Sequence, residues 1–189
     1  MSIIRAVPED EATGMIADIY AGDVHEHGFV AAHTKVLALN PEAYLAWEQL
    51  ISAIARPMGA RRYELVTLAA ARGARSKHCR LAHGTKSLAI FSEEQLERVA
   101  EDYRDAELSP AEVVMMIFAE NVSADASSMT DRDALPLRNA GFTDREIVDI
   151  AICAAARNYY SRAVQALGVE VEVPAELSPR LRDALIAGL

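Results

Sequence analysis

The chain has 189 residues, 51% of them apolar and only 6% aromatic, with a formal net charge of −9. That length buries a full core as one domain, 1–189, without disulfides or metal. The acidic balance excludes nucleic acid or an anionic membrane as the main partner, because both need a basic surface. No apolar run reaches the roughly 20 residues that span a bilayer, and Met1-Ser2-Ile3-Ile4-Arg5 has no signal-peptide apolar region. Two cysteines, Cys79 and Cys153, make no disulfide framework, so a reducing cytoplasm is the expected location.

Alanine and leucine dominate, and alanine is the strongest helix former. The expectation is an all-α protein of closely packed helices. In chain order, the apolar periodicity and helix punctuation predict helices over about 10–22, 41–56, 61–74, 77–91, 93–104, 110–124, 131–140, 144–167 and 179–187. Asn40-Pro41 supplies an N-cap followed by proline at the first helical position. Ser92-Glu93-Glu94-Gln95, Ser109-Pro110-Ala111-Glu112 and Thr143-Asp144-Arg145-Glu146 read as capping boxes, in which hydroxyl and carboxylate or amide satisfy free backbone N–H groups. Gly168 closes the long helix opened by Thr143, and Ser178-Pro179 starts the last one. The β-like run Val169-Glu170-Val171-Glu172-Val173 is too short and isolated to build a sheet.

Chemistry concentrates in Ser76-Lys77-His78-Cys79-Arg80-Leu81-Ala82-His83, with Glu64 upstream. Ser76 is a natural N-cap, which puts Cys79 in the first helical turn, where free N–H groups and the helix dipole favour a thiolate. Cys79 and His83 are i and i+4 and share one helix face. Antiparallel packing of the preceding helix would bring Glu64 to the imidazole, giving a Glu64–His83–Cys79 proton relay that activates a nucleophile. Lys77 and Arg80 add positive potential, and His78 flanks the sulfur. Each residue also has a plain reading: a small core thiol, a satisfied histidine, a capping serine, a first-turn carboxylate. Their coincidence at one helix start is what points to chemistry.

Other candidates carry less. Cys153 lies in an apolar helical run and reads as an inert core thiol. His25-Glu26-His27, with His33 downstream, lacks a cysteine or carboxylate cluster at ligand spacing, so no metal site is read there. There is no glycine-rich phosphate loop, no G-x-S-x-G elbow, and no signal for a bound cofactor. The core motif, 60–91, has an echo. Glu64, Val66, Ala69, Ala74, Arg75 and Arg80 match Glu146, Val148, Ala151, Ala156, Arg157 and Arg162 at one offset. The copy at about 143–168 has Asn158, Ser161 and Gln165 in place of Ser76, Cys79 and His83, and so reads as scaffold that lost the chemistry.

These residues resemble the AhpD-like alkylhydroperoxidase group of the carboxymuconolactone decarboxylase superfamily. That group's pattern is Glu, eleven residues, C-x-x-C, three residues, His, often with a His just before the second Cys. Here it is met by Glu64, His78, Cys79 and His83, with Ser76 in place of the first cysteine. Gly28-Phe29-Val30 through Leu39-Asn40-Pro41-Glu42-Ala43, and Phe142-Thr143-Asp144-Arg145-Glu146-Ile147 through Asn158 and Arg162 to Gly168-Val169, are similar to its peroxidase-related branch. The resemblance implies an all-α fold with a repeated helical unit, assembled as a homo-oligomer, a trimer or hexamer. It also implies a small-molecule substrate, a hydroperoxide attacked by Cys79, with Glu64 and His83 moving protons and an external dithiol such as dihydrolipoamide as reductant. Serine at 76 cannot resolve a sulfenic acid as a disulfide, so an outside thiol or Cys153 would have to. Three outcomes follow: a one-cysteine peroxidase, a lyase or hydrolase using Glu64 and His83 on a small organic acid, or a redox sensor or binding protein without turnover.

Overall fold

A computed structural model describes residues 2–189, as ten α-helices with no strand among the described residues. The all-α architecture is the one expected from the sequence. It divides into two compact units.

The smaller unit comprises residues 2–52 with Ala163–Glu172. It holds α1 (Gly14–His27), α2 (Ala32–Leu37) and the start of α3 (Pro41–Met58). Its core is Ile19, Tyr20, Val30 and Ala38, with Ala12, Ile16 and Tyr44 packed against them. Gly28, at φ 83°, ends α1 in the left-handed conformation. Buried Asp23 accepts the Ala31 N–H at 2.9 Å. A cavity of about 230 Å³ in this unit is lined by Asp18, Asp23, Glu26 and Glu48 beside Tyr44, and offers no thiol or imidazole.

The larger unit, Ala53–Arg162 with Val173–Leu189, is built around α4 (Ala60–Gly73). Every residue of α4 from Tyr63 to Ala71 is buried, so this helix has no solvent face over two turns and forms the centre of the unit. It packs on α5 (Lys77–Ser87) and α7 (Pro110–Asp125). Then α10 (Pro179–Ile186) packs on α5 and α6 (Glu93–Asp102), and α8 (Asp131–Asn139) on α7. Small residues let these backbones touch. A Cβ on Gly73 would stand 2.4 Å from the Glu120 carbonyl oxygen, and one on Gly84 2.4 Å from Leu185 Cδ1. The long helix α9 runs Asp144–Ala166.

The caps explain the boundaries. Asn40 Oδ1 accepts from Ala43, and Ser109–Glu112 and Thr143–Glu146 form reciprocal boxes. Ser92 supplies only the hydroxyl half, accepting from Gln95. Thr130–Asp133 adds a further box, with the shorter aspartate in place of glutamate. Four expectations are corrected. The first predicted helix starts later and runs further, to His27, which puts His25 and His27 on a helix and not in a loop. The short α2 was not expected, because Ala31 precedes it and gives no side-chain cap. The segment predicted as 77–91 stops at Ser87, and that predicted as 93–104 stops at Asp102 and continues as a 3-10 turn. The echoed segments also differ: residues 64–83 break between α4 and α5, whereas 146–165 lie within α9.

Candidate active site

Three helices of the larger unit meet around the Cys79 sulfur. Helix α4 contributes Tyr63 and Glu64, α5 contributes His78, Cys79 and His83, and α9 contributes Arg157 and Ser161. The turn between α4 and α5 passes through Arg75 at φ 54°, and Ser76 then caps α5, its hydroxyl accepting the Cys79 N–H at 3.3 Å. Cys79 therefore occupies the third helical position, as the sequence spacing predicts, and is 1% exposed.

Glu64 and His83 come together across the α4–α5 packing, with Oε2 2.8 Å from Nδ1 and both side chains buried. Burial pushes His83 down to about 4, the Arg157 guanidinium adds to this, and Glu64 opposes it. The imidazole is thus neutral at pH 7. Its Nδ1–H donates to the carboxylate, which leaves Nε2 as the basic nitrogen. His78 is pushed down to about 4 by burial and then by Arg157, and its ring lies against Tyr160 with centroids 6.4 Å apart.

The hydrogen bonds to the sulfur come from α9. Ser161 Oγ donates to Cys79 Sγ at 3.2 Å, and Arg157 Nη1 donates at 3.9 Å. Arg157 Nη2 also donates to the Tyr63 hydroxyl at 3.2 Å, and the Tyr63 ring stands edge-on to His83. Burial disfavours the Arg157 cation, but the Cys79 sulfur and then the Tyr63 oxygen outweigh it and hold the guanidinium above its ordinary value. A permanently charged group is thereby fixed at the Cys79 sulfur.

Of the expected relay, the Glu64–His83 link forms, while the partners of the sulfur are Ser161 and Arg157. Sequence reasoning missed both. The echo was the signal, because Ser161 and Arg157 are the counterparts of Cys79 and Arg75. The second segment is therefore more than scaffold: its position equivalent to Cys79 touches Cys79. Lys77 is exposed, and Arg80 spends its donors elsewhere, on the carbonyls of Leu185 and Ala100 at 2.8 Å and of Leu68 at 3.5 Å. Cys153 is a free, buried thiol pushed up to about 11 by burial, with Thr67 Oγ1 4.0 Å away. No cluster of three or more metal-ligating side chains occurs among the described residues.

No family model and no curated protein matches the sequence. Solved structures do. The alkylhydroperoxidase AhpD core, an uncharacterized peroxidase-related protein from Ralstonia eutropha JMP134, aligns with a TM-score of 0.77 at 22% identity, over 98% of this chain and 96% of that one. An uncharacterized peroxidase-related protein from Silicibacter sp. TM1040 aligns with a TM-score of 0.76 at 23% identity, over 93% and 95%. A cysteine-to-alanine variant of the debrominase Bmp8, in complex with 2,3,4-tribromopyrrole, aligns with a TM-score of 0.76 at 14% identity, over 98% of each chain. Along nearly its whole length, the chain has the fold of AhpD-core, peroxidase-related proteins.

Proposed function

We propose that the protein is an AhpD-like, thiol-dependent oxidoreductase that reduces a small hydroperoxide through Cys79. The observation that carries this reading is a cysteine sulfur at a helix start, 3.2 Å from a donating hydroxyl and 3.9 Å from a buried guanidinium, in a site that also holds the Glu64–His83 pair. Cys79 thiol and ROOH give the Cys79 sulfenic acid and ROH. The thiol proton passes through His83, oriented by Glu64, to the departing alkoxide. Ser76 carries no sulfur and Cys153 is held protonated, so two equivalents of an external thiol, such as a dihydrolipoamide-like dithiol, return the enzyme and release water. The reaction needs no bound cofactor. It suits a reducing cytoplasm and a homo-oligomer, a trimer or hexamer.

Dimedone trapping after mild peroxide treatment, read by mass spectrometry, tests this. The expected product is labelled Cys79, absent in Cys79→Ala and unchanged in Cys153→Ala. Unlabelled Cys79, with the protein folded, rejects it. A second reading draws on the Glu64–His83 pair, which is complete without the sulfur: acid–base lyase or hydrolase chemistry on a small organic acid. Turnover that survives Cys79→Ala but not Glu64→Gln would favour it. Labelling without turnover would leave a redox sensor.

A further inference from the structure

We infer that Ser161 and Arg157 form a two-donor cradle that holds the Cys79 thiolate and afterwards the oxygen of its sulfenate, so that the oxidised protein waits in that state for an outside thiol. The inference rests on the peroxidase reading above. It assigns catalytic roles to two α9 residues that lie 82 and 78 positions from the cysteine.

Both donors address one atom. The Ser161 hydroxyl is fully buried and has the sulfur as acceptor at 3.2 Å. Arg157 is 5% exposed and reaches the sulfur with one guanidinium nitrogen while the other is held by the Tyr63 hydroxyl, which fixes the plane of the group. Donors fixed before reaction favour the thiolate, the attacking form, over the thiol, and low polarity around them strengthens the effect. As the sulfur attacks the distal peroxide oxygen, the S–O bond forms and the O–O bond breaks. The electron pair leaves on RO⁻, which takes the proton carried by His83. The new oxygen on sulfur lies beside the same two donors. Once the S–OH proton is lost to solvent, the sulfenate oxygen accepts charge-assisted hydrogen bonds from them.

Two features then keep the sulfenate from reacting onward. The protein's other thiol, Cys153, is neutral, because burial pushes it up to about 11. The guanidinium also draws electron density from the sulfenate and so slows its attack on a second peroxide, the step that yields the irreversible sulfinic acid.

The test uses the full chain with Ser161→Ala, Arg157→Lys and Arg157→Met, each checked for native circular dichroism. With one equivalent of tert-butyl hydroperoxide and no thiol, wild type is expected to accumulate Cys79 sulfenic acid that persists for minutes. Ser161→Ala and Arg157→Met are expected to form it about tenfold or more slowly and to pass sooner to sulfinic acid. Arg157→Lys keeps the charge and is expected to fall between. A second readout does not involve peroxide. The preference of Cys79 for anionic iodoacetate over neutral iodoacetamide is expected to fall in Arg157→Met and to stay in Ser161→Ala. A merely structural role would not split the two variants this way. If wild-type Cys79 resists peroxide, the peroxidase reading fails by itself. If folded variants oxidise and alkylate at wild-type rates, the cradle is overturned whatever the peroxide result. Should Arg157→Met not fold, the same comparison is made with Arg157→Lys and Ser161→Ala.

Discussion

At the residue scale, two buried histidines stand near a fixed cation. Burial and Arg157 push His78 and His83 from 6.5 to about 4. Between those values the unfolded chain binds protons that the folded chain refuses. Stability present above pH 6.5 is therefore lost as pH falls toward 4. Thermal melts should show a melting temperature roughly constant from pH 8 to 7 and falling steadily from 6.5 to 4.5, with a shallower fall in His78→Asn. Glu64→Gln tests the other side of the pair. An amide can present its NH₂ to Nδ1 and so favour the opposite tautomer, with the proton on Nε2. Peroxide-dependent turnover should fall about a hundredfold, while the rate of Cys79 alkylation changes far less. Ser76, Cys79 and His83 were legible in the sequence, because a helix cap and i, i+4 spacing are local facts, and Glu64 was legible because α4 directly precedes α5 and packs on it. Tyr63, Arg157 and Ser161 were not, because the contact of Ser161 with Cys79 depends on how α9 packs against α5, and only the echo hinted at it.

At the scale of elements, helix starts were read most reliably, since a capping hydroxyl or amide leaves a mark in the sequence at Asn40, Ser76, Ser109, Thr143 and Ser178. Helix α2 left none. The contacts between helices rest on features that look neutral in sequence. Gly73 lets α4 approach the backbone of α7, and a carbonyl 2.4 Å from a new Cβ cannot yield as a flexible side chain would. Gly73→Ala should cost about 1–3 kcal/mol, net of any gain in helix propensity, and urea melts would show it. Arg80, expected from sequence to add positive potential, is also a buried tie, bonding to carbonyls of Leu68, Ala100 and Leu185. Arg80→Met leaves those acceptors without their donors and should destabilise by about 3 kcal/mol. Cys79 alkylation by iodoacetamide should rise as α5 loosens.

At the scale of the molecule, the absence of strands among the described residues and the dominance of alanine-rich helices were plain from composition. Invisible was the division into two units, because chain segments far apart in sequence join in each. No helix among the described residues is long and apolar enough to cross a membrane. Yet Val148, Ile152 and Tyr159 on α9 are 54%, 39% and 57% exposed, an apolar stripe at helical spacing. The proposed homo-oligomer would cover it. Light scattering after size exclusion should give a mass of three or six chains, and Ile152→Glu should reduce it; a monomer at all concentrations would remove the assembly from the proposal. Leu185 belongs to α10, and both its carbonyl and its side chain lock α5, the helix that carries Cys79 and His83. A probe of thiol reactivity is thus also a gauge of whether α10 is seated. An affinity tag or a proteolytic clip that unseats α10 would be recorded at the sulfur as a change in labelling rate, and could be mistaken for a change in the chemistry of the site.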